Sequence, residues 1–259
     1  MPRFAANLSL LFTEVPLLDR FAAAHAAGFA AVEMQFPYAE DARVLAARRA
    51  EAGLPLVLHN LPPGDWAAGE RGIAILPDRV PEFREGVARA IDYAGTLGCR
   101  QINCLAGLAP AGIERARLLA TLIENLAYAA DELKMAGIRL LIEPINDRDM
   151  PGFFLNRLAD AAAVIEAVNA ENLFIQADLY HMARMGENLP EALSAHRARI
   201  AHVQIADAPG RHEPGSGAID FPAAFATLDR LGYDGAIGCE YLPASGTQAG
   251  LGWMAAYRS

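Results

Sequence analysis

Apolar and polar positions along this chain fall into two alternating patterns. Ala- and Leu-rich runs with apolar residues three and four apart, such as Leu118, Leu122, Leu126 and Leu133, predict amphipathic helices. Each run closes near a glycine and leads into a short apolar stretch. The segments "AHAAGFAAVEM", "RRAEAGLPLVLH", "AGTLGCRQINC", "LKMAGIRLLIE" and "DRLGYDGAIGCE" share this plan. Gly28, Gly53, Gly98, Gly137 and Gly232 fall where a helix C-terminus favours positive φ. Nearly continuous apolar strands are covered on both faces, which predicts a parallel sheet wrapped by helices.

The pattern predicts strands near 3–8, 30–34, 55–59, 100–104, 138–143, 173–178, 200–205 and 235–240. Helices are predicted near 16–27, 39–52, 80–97, 112–136, 157–168, 189–196, 222–231 and 247–257. Eight such units in 259 residues predict a single-domain α/β fold, the (β/α)8 TIM barrel. A doubly wound sheet would want a Gly-rich phosphate turn after its first strand, and "NLSLLFTEVP" has no Gly. No linker or low-complexity stretch divides the chain. The longest irregular piece, 60–83, follows the third strand and so lies on the catalytic rim. Its Trp66 either contributes a pocket wall or lid or packs that loop down.

Composition narrows the classes. A 53% hydrophobic content supplies a large core, and 31 acidic against 22 basic residues leave a net charge of −9. That balance argues against a nucleic-acid binder, which presents a basic face. The N-terminus lacks a signal-peptide pattern and no stretch nears about 20 apolar residues, so a cytoplasmic protein with no membrane partner is expected. Cys99, Cys104 and Cys239, without CxxC spacing, read as buried free thiols. Oligomeric state is left open, a homo-oligomer being compatible.

Candidate chemistry lies at the strand ends, which converge on one rim of such a barrel. The fifth strand, in "RLLIEPIN", stops at Glu143, and Pro144 forbids its extension. The sixth ends at Asp178, the seventh carries Gln204 and the eighth ends at Glu240. Three carboxylates at one level repel strongly unless something positive sits among them, and no Lys or Arg occupies those strand ends. A divalent cation answers this. All-oxygen donors suit Mg2+, with Mn2+ as the second choice, whereas zinc would recruit His or Cys. His202, two residues before Gln204, reads as a core histidine or an alternate ligand. His59, Asn7 and Glu33 also lie near strand ends, His59 as a candidate for the pocket lining. Glu213 lies on a rim loop with no direction fixed. Asp220 reads as a helix cap, with Pro222 in the first turn.

Taken together, "LIEPIN", "PGFFL", "QADLYH", "HVQIAD", "PGRHEPGSG" and "GCEY" resemble the hydroxypyruvate isomerase family, including 2-oxo-tetronate isomerases, within the xylose isomerase-like barrels. The resemblance runs over essentially the whole chain. It implies a divalent metal held by Glu143, Asp178, Gln204 and Glu240, with Glu143 and Glu240 as the proton donor and acceptor. It also implies substrate contacts from His181, three residues after the metal-binding Asp, and from Arg211 after the seventh strand. Related epimerases carry His where this chain has Gln204.

The expected activity is therefore metal-dependent isomerisation of a small anionic 2-oxo acid. A proton would pass between adjacent carbons through a metal-stabilised enediolate, although a direct hydride shift stays open. The alternatives are a ketose 3-epimerase and a barrel that binds a sugar acid without turning it over. An apurinic-site endonuclease would want several zinc ions, many His ligands and a basic surface, against six His and a charge of −9 here.

Overall fold

The computed structural model describes residues 2–257. Eight parallel strands run β1 (Arg3–Asn7), β2 (Ala31–Glu33), β3 (His59–Asn60), β4 (Gln101–Cys104), β5 (Arg139–Ile142), β6 (Leu173–Asp178), β7 (Ile200–Ile205) and β8 (Ala236–Cys239). Their order, β2-β1-β8-β7-β6-β5-β4-β3, leaves one seam between β2 and β3. Val32 bridges Leu56 across it, and the N–H groups of Val57 and Met34 donate to the carbonyls of Val32 and Leu58. These contacts bring the sheet round into the expected (β/α)8 barrel. Pro55 brings no N–H to that seam, and regular β3 is shorter than the 55–59 predicted.

The helices are α1 (Arg20–Ala26), α2 (Ala42–Ala52), α3 (Val80–Leu97), α4 (Arg115–Met135), α5 (Leu158–Val168), α6 (Leu179–Arg184), α7 (Leu189–His196), α8 (Phe221–Arg230) and α9 (Thr247–Gly250). Asp220 caps α8 by accepting from the Ala223 N–H at 2.9 Å, as expected. Gly98 closes α3 at φ +65°, a left-handed position that a side chain would strain. The predicted helix over 247–257 is one α-turn followed by a 3-10 stretch, Leu251–Tyr257. Helix α6 was not predicted. It is six residues long, too short for a periodic apolar pattern to reveal.

Leu118, Leu122, Leu126 and Leu133 of α4 are essentially buried, each contributing about 1.5–3 kcal/mol through removal from water. Cys99, Cys104 and Cys239 are buried free thiols. Among the described residues no helix is long and apolar enough to cross a membrane.

The barrel interior corrects one expectation. Nearly continuous apolar strands imply an apolar filling, but β6 and β7 send Gln176, His202 and Gln204 inward to a network with buried Glu33 of β2. The Glu33 carboxylate accepts from Asn7 Nδ2 at 3.0 Å, Gln204 Nε2 at 2.7 Å and His202 Nε2 at 2.7 Å. Gly238 on β8 makes the space: a Cβ there would lie 2.2 Å from a Glu33 oxygen. Because Glu33 is pinned on three sides, Gly238→Ala should destabilise the fold by about 1–3 kcal/mol in urea titration. An unchanged midpoint would show that Glu33 is free to move.

Candidate active site

Strand ends and the loops that leave them build the site. Glu143 follows β5, Asp178 ends β6, His181 sits on the following helix α6, and Glu240 follows β8. One ligand atom from each of the four lies within 4.8 Å of the others, and all four residues are buried. Asp178 divides its carboxylate between two tasks. Oδ1 caps α6 by accepting from the Tyr180 N–H at 2.8 Å, while Oδ2 is buried with no hydrogen-bond partner. That orphaned oxygen faces His181 Nε2 at 3.6 Å, and Glu143 Oε1 lies 3.8 Å from the same nitrogen.

The electrostatics match the crowding. Burial, then repulsion from Glu240 and Asp178, holds the Glu143 carboxyl well above the usual carboxylate range. Burial pushes Asp178 up to about 7 despite the nearby Arg211. Burial also raises Glu240, against the pull of Arg211. His181 is held well below the ordinary imidazole value by burial, with Arg211 and Arg184 repelling its charged form. Three acids that resist ionisation, an unpartnered carboxylate oxygen and hard oxygen donors form a set that a divalent cation would complete.

The cluster opens on a cavity of about 220 Å³. Gln35, Asn60, Arg211 and the three cluster residues Glu143, His181 and Glu240 supply its polar wall, and Leu105, Ile145 and Met150 are among its apolar residues. Trp66 forms part of the wall, held between the Arg71 guanidinium, 4.0 Å above its ring, and Phe36 at 5.0 Å. A wider depression of about 690 Å³ lies at the opposite mouth, among strand starts. It lacks any such gathering of acids, so the smaller cavity is the candidate active site.

A profile of the xylose isomerase-like TIM barrel family matches residues 21–257. A 2-oxo-tetronate isomerase of Cupriavidus necator is 52% identical over 257 residues, covering 99% of each chain. A hydroxypyruvate isomerase of Escherichia coli is 50% identical over 258 residues, covering 100% of each. The chain belongs to the hydroxypyruvate isomerase family. A crystal structure of a Brucella melitensis protein named AP endonuclease, family 2, matches at TM-score 0.97 and 46% identity over both full chains. The 3-keto-D-glucoside 4-epimerase of E. coli, at 22% identity and TM-score 0.84, shares the barrel.

In this member of the hydroxypyruvate isomerase family, Glu143, Asp178, His181, Arg211 and Glu240 come together, although they span almost a hundred residues of sequence. Arg211 is the cation absent from the strand ends: it arrives on a loop, and its Nη2 donates to Glu240 Oε2 at 2.6 Å. It adopts a left-handed φ of +57°, which costs a non-glycine residue about 1 kcal/mol or more. The buried Asp207 carboxylate offsets this by accepting four backbone N–H groups, from Ala208, Gly215, Gly217 and Ile219, at 2.8–3.0 Å.

Of two expected site residues, Gln204 meets a competing bond and His59 needs correction. Gln204 does sit beside Asp178 in the β6–β7 register, but its level on β8 is Gly238, two residues below Glu240. Its amide nitrogen donates to Glu33 and its oxygen accepts from Gln176, so the fourth oxygen expected at the rim is held by a neighbouring glutamine. His59 does not line the cavity. It is fully buried, with Nδ1 3.1 Å from the Asn60 carbonyl, and burial lowers its pKa to about 4. Its neighbour Asn60 reaches the cavity instead, because alternate residues of a strand face opposite ways. His202 pairs with Glu33, in keeping with a core histidine. Sequence reasoning passed over Gln35, Asn103, Asn146 and Asp207. Polar Asn103 inside "QINC" was a signal; Asn146 and Asp207 sit in loops, where polar residues are unremarked.

Proposed function

We propose that the protein is a divalent-metal-dependent isomerase of a small 2-oxo acid. The pairs it would interconvert are hydroxypyruvate with tartronate semialdehyde, or a 2-oxo-tetronate with its isomer. One observation carries this reading: buried Glu143, Asp178 and Glu240 converge on a small cavity with one carboxylate oxygen unpartnered. The names of the Cupriavidus and Escherichia relatives support the substrate class.

Glu143, Asp178 and Glu240 would hold the ion, with Gln204 joining through Oε1 if it exchanges its bond from Gln176; the oxygen-rich set favours Mg2+ over softer ions. When bound, the cation would polarise the substrate carbonyl and stabilise the enediolate charge. Glu143 and Glu240 leave β5 and β8, three strand steps apart, and so flank the cavity from two sides. One carboxylate removes a proton from the hydroxyl-bearing carbon and the other delivers a proton to the neighbouring carbon, while the hydroxyl proton passes to the former carbonyl oxygen, so that carbonyl and hydroxyl exchange places. Arg211 lines the cavity and would meet the substrate carboxylate through its guanidinium. Leu105, Ile145 and Met150 limit water around the charged intermediate. The nuclease name of the Brucella protein does not carry over to this chain, whose 31 acids against 22 bases disfavour a DNA backbone.

The test is kcat/KM for hydroxypyruvate and a 2-oxo-tetronate in parallel, with Mg2+ and with EDTA. Turnover of at least one acid, lost in EDTA and restored by Mg2+, is expected. Failure to turn over either acid with Mg2+ present would refute the proposal.

A further inference from the structure

His181 has two ring nitrogens, and the one that carries the proton decides what the residue can do. Facing the cation site, a bare nitrogen is a ligand and an N–H is a donor. The surroundings of Asn146 fix the answer. Its Oδ1 accepts the backbone N–H of Arg148 at 3.1 Å and of Asp149 at 2.9 Å. Its Nδ2 lies 3.0 Å from Asp149 Oδ2 and 2.7 Å from His181 Nδ1. Exchanging the amide oxygen and nitrogen would aim N–H at two N–H donors and oxygen at a carboxylate, so only one orientation satisfies all four contacts.

An amide NH2 can only donate. His181 Nδ1 must therefore accept, and the backbone N–H of Asn146 points at the same atom from 3.5 Å. A ring nitrogen that accepts carries no proton, which places the single proton of the neutral ring on Nε2. That is the atom turned toward Asp178 and Glu143. We propose that Asn146 is a positioning residue that sets the His181 tautomer, keeping this histidine out of the metal's ligand set and presenting its Nε2–H to the substrate's oxygen.

The arrangement is anchored from outside. Asp149 accepts from the Tyr180 hydroxyl and from Arg184 Nη2 at 3.0 Å, so its carboxylate is fixed before it receives Asn146. Burial works against that carboxylate, but the bonds from Tyr180, Asn146 and Arg184 hold it below its usual pKa, and it stays an acceptor. Arg184 and Tyr180 thus orient Asp149, which orients Asn146, which orients His181. A cluster that by proximity alone would include an imidazole ligand is left with oxygen donors only. The occupant being a 2-oxo acid rests on the proposed function; the tautomer does not.

The experiment is 15N NMR of the protein labelled in histidine, metal-free and with Mg2+, the His181 signals being identified by their loss in His181→Phe. The expected pattern is unprotonated Nδ1 and protonated Nε2 in both states. The double variant Asn146→Asp with Asp149→Asn reverses donors and acceptors along the path. It should move the proton to Nδ1 and raise zinc affinity relative to magnesium at least tenfold, read by competition with a chromophoric chelator. Protonated Nδ1 in the unmodified protein would overturn the inference, as would a double variant whose tautomer does not change. Should the variant not fold, the spectrum of the unmodified protein decides alone. An enzyme inactive on both acids but protonated at Nε2 would sink the proposed function and leave this inference standing. An active enzyme protonated at Nδ1 would do the reverse.

Discussion

Glu240→Gln should reduce kcat about a thousandfold or more while circular dichroism stays unchanged. The carboxylate accepts from Asn7 and Gln35 at 3.1 Å through Oε1 and from Arg211 through Oε2. Glutamine keeps the volume and the Oε1 contacts. It cannot take a proton from carbon, and its NH2 meets the Arg211 guanidinium where a carboxylate oxygen stood. Glu143→Gln should be as inactive, with an opposite effect on the metal-free fold. Glu143 accepts the Asn103 bond, at 3.0 Å, and, despite attraction from Arg211, suffers net repulsion from Glu240 and Asp178. Glutamine keeps the former and removes the latter, so the metal-free Glu143→Gln protein should melt above the unmodified one. Full activity in either variant would remove that residue from the proton transfer.

Removing the metal should abolish turnover, and the same acids predict a signed dependence of stability on pH. Glu143, Asp178 and Glu240 have folded pKa values raised above those of the unfolded chain. Between about pH 4 and pH 7 the unfolded chain releases protons that the folded cluster retains. The buried His59 and His181, held below the ordinary imidazole range, oppose this below about pH 6.5, but with three acids against two histidines the metal-free protein should still lose stability as pH rises toward 7. Below it the sign changes, because Glu14, Glu70 and Asp149 have depressed values whose stabilisation is lost as pH falls. Mg2+ competes with the retained protons, so its stabilising effect should grow from pH 5 to pH 7. At a hundredfold excess over Kd it should reach about 2.7 kcal/mol. Thermal melts at several pH values, with Mg2+ and with EDTA, measure both trends. A pH-independent Mg2+ effect would mean that the ion does not bind at these carboxylates.

The linear pattern carried the barrel, the strand ends and the three acids, because each depends on neighbours in sequence. Period-3.6 helices and unbroken apolar strands follow from local spacing, and a barrel topology brings strand ends together whatever the loops do. Glu143, Asp178 and Glu240 were legible for that reason. His181 and Arg211 were legible only through family resemblance: the first lies on a helix of six residues, the second on a loop whose path Asp207 determines.

What tertiary structure decided is the direction of polar side chains. Whether Gln204 faces the rim or Glu33 depends on the empty volume over Gly238, a residue on another strand. His59 and Asn60 differ by one strand position, so which of them meets the cavity depends on register. The proton on His181 depends on an amide 35 residues away and on a carboxylate that orients it. Sequence determines which groups the rim can offer, since hydrophobic periodicity is local. The partner that each group faces is set by hydrogen bonds between distant segments, whose angles and occupancies exist only once the ring of strands has closed.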